Sequence, residues 1–123
     1  MSVTELSNLL LNNVVDLRFV RRRQTPGKPP VRRMVCTKSL ELLNSNNGLI
    51  SLGYRKPVSA PDYNPTLEGL VTVWDILMQD YRNIPAETVT INRVIPANDE
   101  FWNYFNNELY TMSVVQKMQF MGS

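Results

Sequence analysis

The spacing of apolar positions changes period once within the first 37 residues. In "SVTELSNLLLN", residues 2–12, Ser2 and Glu5 stand at capping-box spacing and Leu6, Leu9 and Leu10 fall on one helical face, which predicts a short N-terminal helix lying as a lid on something apolar. From Val14 to Arg22 the period drops to two. Val15, Leu17 and Phe19 share one side, while Asp16, Arg18 and Arg22 are among the residues opposite, the pattern of a half-buried strand. Val14 and Val20 interrupt the alternation. "RQTPGKPP" then supplies Pro-Gly and Pro-Pro, the chemistry of a chain reversal, and a β-branched strand resumes from Val31 to Thr37. The two arms make a predicted hairpin whose loop is longer than a two-residue turn, so its tip should project and carry Lys28 with it.

Further along, "SLELLN" reads as one helical turn and "GLISL" as a short strand. Pro57, Pro61 and Pro65, together with Asn44, Asn46, Asn47 and Gly48, make residues 38–69 an excursion with little regular structure. "LVTVWDIL" (70–77) is a strong strand, "MQD" a turn, "YRNIP" a short strand, and "TVTINRVI" (88–95) alternates again. Asn98 opens the last element, with Asp99 and Glu100 placed where helix-start N–H groups favour negative charge. Phe101, Phe105, Leu109 and Met112 recur at helical spacing, predicting one amphipathic helix from Asn98 to about Gln119. Trp102 and Tyr104 do not both share that face, which leaves aromatic surface for a partner. Leu17, Phe19, Val35, Val73 or Trp74, and Ile91 or Val94 are expected in one shared core.

Composition narrows the class without naming a chemistry. The chain has 123 residues, 43% hydrophobic and 20% charged, consistent with one globular domain. No apolar run approaches the roughly 18 residues of a membrane span, and no signal-peptide pattern opens the chain, so a soluble, unexported protein is expected. With one cysteine and no histidine, neither an intrachain disulfide nor a metal site is expected. Histidine is also the commonest general acid or base near neutral pH, and no phosphate loop, nucleophile elbow or paired-carboxylate motif replaces it. The expectation is a protein that is not an enzyme and needs no cofactor. Cys36, alternating with Met34 on a strand, reads as a buried filler.

Charge changes the picture more. The net charge is only +2, yet residues 18–38 hold Arg18, Arg21, Arg22, Arg23, Lys28, Arg32, Arg33 and Lys38 and no acid. The remaining five basic residues face all eleven acidic ones, so the rest of the chain sums to −6. Arginines on a strand can simply discourage edge-to-edge aggregation. Eight like charges without one acid repel each other, however, and a merely soluble edge usually mixes signs. Arginine outnumbers lysine six to two, and its planar fork suits phosphate oxygens. These eight residues form the candidate nucleic-acid interface. Tyr54 and Tyr63 among the prolines, and Trp102 and Tyr104 at the last helix, are candidates for base stacking or partner contact.

The segments "RRMVCT", "LVTVWDIL", "YRNI" and "TVTINRVI" together resemble the small Sm-like, SH3-type β-barrel domains related to WYL domains that occur in tailed phages. The family pattern corresponds here to Arg33 through Thr37, Val73 through Asp75, and Tyr81 with Arg82, and the resemblance spans about residues 15–95. The 38–69 excursion is longer than that pattern, and "YRNIPAET" matches it loosely. The resemblance implies a small five-stranded barrel over 14–95; with the helices that capping and period predict at 2–12 and 98–119, which lie outside it, the expected fold is mainly β with flanking helices (α+β) in a single domain. It also implies nucleic-acid or ligand binding, in the host cytoplasm if the chain is phage-encoded. Three functions follow as expectations. The first is a regulatory protein binding DNA or RNA backbone through the hairpin. The others are a module docking an acidic protein surface, such as that of transcription machinery or a nuclease, and a small virion component assembling through the aromatic helix.

Overall fold

The computed structural model describes residues 1–23, 26–43 and 68–122. Helix α1 (Val3–Leu11) starts on the anticipated capping box, with Ser2 Oγ accepting from Glu5 N–H and Glu5 Oε1 accepting from Ser2 N–H, both at 3.1 Å. Strands β1 (Asn13–Val20) and β2 (Val31–Thr37) pair antiparallel from Val14↔Thr37 to Val20↔Val31. A single turn, α2 (Leu40–Leu43), follows. Strands β3 (Leu70–Asp75) and β4 (Asp80–Pro85) form a second hairpin, tightened where Asp75 Oδ1 accepts from Met78 N–H and Gln79 takes a left-handed φ of 55°. A 3₁₀ turn (Ala86–Thr88) leads to β5 (Thr90–Pro96), which pairs antiparallel with β1.

The five strands lie in the order β4-β3-β2-β1-β5, an open antiparallel sheet with β4 and β5 at its edges. The expected closed barrel is not formed. β5 is taken up along its length by β1, from Asn13↔Pro96 to Arg18↔Thr90, and β4 pairs with β3. Helices, rather than a second turn of sheet, cover the two faces.

That double cover explains why β1 departs from strict alternation. Leu6 and Leu10 of α1, both 0% exposed, close a core on one face with Val15, Leu17, Phe19, Met34, Cys36, Val71, Val73 and Ile84. Burying each such leucine contributes about 1.5–3 kcal/mol. Val14, Val35, Trp74 and Ile95 belong to the other face and meet the C-terminal helices there. The single shared core expected from the sequence is therefore two, with Leu17, Phe19 and Val73 in one and Val35 and Trp74 in the other. Ile91 is half-buried against the first, while Val94 is exposed. The Trp74 ring meets Tyr81 edge-on at 5.1 Å, and its Nε1–H is buried without a hydrogen-bond partner.

The C-terminal helix is broken. α3 (Asp99–Tyr104) starts at Asn98, whose side chain accepts from Glu100 N–H at 2.9 Å, and then widens into a π-helical turn, Phe105–Leu109, where Tyr110 N–H reaches Phe105 O at 2.8 Å. The chain leaves the helix at Tyr110–Met112 and begins again as α4 (Val114–Met121) on a second capping box, Ser113 with Gln116. One continuous helix from Asn98 to Gln119 is thus corrected to two. The motif S-x-x-Q at 113–116 is a helix-start signal that favours a new N-terminus over continuation.

Candidate functional site

Antiparallel pairing divides the eight cations of 18–38. Arg18 stands opposite Arg33 and Phe19 opposite Arg32, and opposed residues share a face of the sheet. Arg33 accordingly lies on the side of Val35 and the C-terminal helices. Its Nε and Nη2 donate to Asp16 Oδ1 and Oδ2 at 2.9 and 2.6 Å, and its Cζ sits 3.9 Å over the Phe120 ring. Asp16 is 2% exposed, and its hydrogen bonds raise the Arg33 pKa beyond the ordinary guanidinium value. Asn92, at the β-bulge opposite Asp16 and Leu17, accepts from Arg18 Nη1 and donates to Asp16 at 3.3 Å. Lys38 follows the other end of β2, its N–H bonded to Leu10 O at 3.0 Å. Arg18, Arg33 and Lys38 thus line neither of the two recesses that the other cations share.

The other five gather where the sheet splits. β2 and β3 pair only at Cys36↔Asp75 and Thr37↔Trp74, after which the two hairpins diverge. Between them lies a cleft of about 540 Å³. Arg21, Lys28 and Arg32 line it from the first hairpin, Met78 and Arg82 from the second, and Met118 and Met121 from α4. An adjoining recess of about 200 Å³ shares Arg21, Arg32 and Arg82 and adds Arg22 and Arg23. The hairpin tip rests against the end of α4, where a Cβ on Gly122 would stand 3.7 Å from Pro29 Cγ.

Each cation is held differently. Arg21 Nε donates to Pro29 O at 3.1 Å and its N–H to Pro30 O at 2.8 Å; burial, then the charge of Arg32, lowers its pKa. A guanidinium has room to fall and stay charged at neutral pH. Arg32 Nη2 pairs with Asp75 Oδ2 across the split and touches Met121 Sδ at 3.7 Å. Asp75 is 1% exposed, and burial raises its carboxyl pKa despite the pull of Arg32 and Met78 N–H. Arg82 Nη1 donates to Asp80 Oδ2 at 2.8 Å and Tyr81 O at 3.0 Å. Arg22 faces Glu68 at 3.5 Å with both side chains more than half exposed, a pair worth little in water. Arg23 and Lys28 are exposed and have no ion pair among the described residues.

No family model, curated protein or solved structure matches this chain. Its own geometry carries the functional reading. Among the described residues no cluster of three metal-ligating side chains occurs, and no helix is long and apolar enough to cross a membrane. Cys36 is fully buried, and burial, followed by the charges of Asp75 and Asp16, pushes its thiol pKa well up, so the thiolate needed for reactivity is disfavoured.

The aromatic candidates fare differently from the cations. Tyr54 and Tyr63 lie outside the described residues. Trp102 and Tyr104, of which one or the other is expected toward solvent or a partner, are 9% and 7% exposed. At 100° per residue Tyr104, Phe101, Phe105, Leu109 and Trp102 fall within an arc of about 160°, and all five pack into the core. Phe101 meets Trp102 at 4.9 Å between ring centres, and Trp102 meets Phe105 at 6.0 Å. Stacking on a partner through these two rings, and assembly through an aromatic helix face, lose their basis. Arg82 was missed as a site residue because it lies 44 positions beyond Lys38. The available signal was its position two residues before the buried Ile84 on a short strand, which puts the two on one face, the face whose recesses also hold Arg21 and Arg32.

Proposed function

We propose that this chain is a non-enzymatic, phage-type regulatory protein that grips the phosphate backbone of DNA or RNA with the loop end of its first hairpin. The carrying observation is convergence. Arg21, Arg22, Arg23, Lys28 and Arg32 come from one hairpin and Arg82 from another, and together they line adjoining recesses at one end of the sheet. Among the described residues Glu68, Asp75 and Asp80 are the acids that pair with members of this group, three against six cations. Phosphate contacts of this kind position a strand without reading its sequence. Kinship with SH3/Sm-like domains related to WYL domains is part of the proposal. Its motif residues adjoin in the sheet, with Cys36 beside Asp75, Thr37 beside Trp74, Trp74 beside Tyr81 and Val73 beside Arg82.

A pull-down with and without nuclease separates this reading from its competitor. Nucleic acid as the partner predicts that captured material disappears on nuclease treatment and that purified protein shifts both single strands and duplex at about 50 mM salt, where non-specific electrostatic binding is strong. Capture of one discrete nuclease-resistant polypeptide, with no shift of either nucleic acid, would replace it with docking to an acidic protein surface.

A further inference from the structure

We propose that the cleft between the two hairpins is a seat for a nucleotide bearing a phosphate monoester, supplied either by the phosphorylated 5′ end of a single strand or by a free nucleotide. The strand-end source rests on the backbone-binding reading above; the free-nucleotide source does not.

Shape is the first argument. A recess of about 540 Å³ falls within the range of roughly 300–1,000 Å³ typical of small-ligand sites, so it suits one nucleotide and not a duplex. Charge is the second. Arg21, Lys28, Arg32 and Arg82 line it, and among the described residues Asp75 and Asp80 each offset one of them, a balance of +2 for these side chains. A monoester carries about −1.5 to −2 at neutral pH and a chain diester only about −1, so the terminal group is the better complement. Donor geometry is the third. Arg32 makes its bonds to Asp75 and Met121 from Nη2, and Arg82 its bonds to Asp80 and Tyr81 from Nη1. Of five guanidinium N–H groups, each therefore retains Nε–H and one further nitrogen for phosphate oxygens, among the described residues. The wall supplies the fourth. Met118 is 64% exposed and Met78 43%, and with Met121 they offer soft, polarisable sulfur to the face of a base.

Fluorescence anisotropy with a short single-stranded oligonucleotide, carrying either a 5′ phosphate or a 5′ hydroxyl, tests this directly. A nucleoside monophosphate and inorganic phosphate serve as competitors. The phosphorylated strand should bind at least about tenfold tighter. Arg82→Gln should erase that preference while also weakening the hydroxyl strand through one lost backbone contact, and Met118→Glu, a change at an exposed position, should erase it too. Unchanged circular dichroism and melting report that both variants are folded. Arg32→Gln is avoided because it strands the buried Asp75. Competition by the nucleoside monophosphate well above that of inorganic phosphate supports the seat, and equal competition overturns its nucleotide selectivity. Equal binding of the two strands overturns the seat and leaves the backbone reading intact. Binding of the monophosphate without either strand keeps the seat and removes the backbone reading.

Discussion

Arg32 and Arg33 are adjacent in the chain and have opposite employments. Arg33 is consumed by Asp16 and Phe120 on one face, and Arg32 bridges to Asp75 at the mouth of the cleft. Arg33→Gln should therefore cost about 3 kcal/mol in urea unfolding, since it leaves a buried carboxylate without its main partner. Arg23→Gln should cost under about 0.5 kcal/mol. Comparable losses in the two variants would contradict the division of the cations. Alternation along β2 already implied that neighbouring arginines point apart. The partners were not legible, because Asp16 and Asp75 lie 17 and 43 residues away, and a local charge count sees neither. Tyr104 gives a second test at this scale. Burial, then the charges of Asp16 and Glu108, pushes its phenol up to about 12 from 10. The raised value means that stability is fully present below pH 10 and is lost as pH rises through about 12, by roughly 2–3 kcal/mol. Phenolate absorbance should show one tyrosine ionising last, absent in Tyr104→Phe. Ionisation of all five together near pH 10 would contradict its burial.

At the scale of elements, all five strands, the capped first helix and the start of α3 followed from period, caps and turn residues. Sheet closure did not. A period of two fixes which side chains are buried but says nothing about which strands are neighbours, and helices on both faces satisfy the same pattern as a barrel. The break before α4 was written at Ser113 and Gln116 and outweighed by the longer apolar period. Its consequence is measurable. α4 has no fully buried side chain, whereas Phe105 in the π-helical turn is 0% exposed. Ending the chain after Met112 should cost less than about 2 kcal/mol and leave cooperative unfolding intact. Phe105→Ala should cost about 3–5 kcal/mol. A truncated chain that fails to unfold cooperatively would show α4 to be integral to the fold.

For the whole molecule the count of +8 against −6 was legible, and its placement was not. Folding moves acids onto Arg32 and Arg33, sends Lys38 to the far end of β2, and adds Arg82, which leaves a smaller but more concentrated positive end. On the proposed function this end, and not the whole segment, meets phosphate. The salt dependence of affinity for a single-stranded oligonucleotide tests it most directly, because each neutralised phosphate contributes about −0.7 to the log–log slope. A slope of about −2 or steeper is expected from about 50 mM salt upward. It should flatten by about two units in the Arg22→Gln, Arg23→Gln, Lys28→Gln triple variant and stay unchanged in Arg33→Gln. A slope that the triple variant leaves untouched, or no binding at about 50 mM salt, would contradict it.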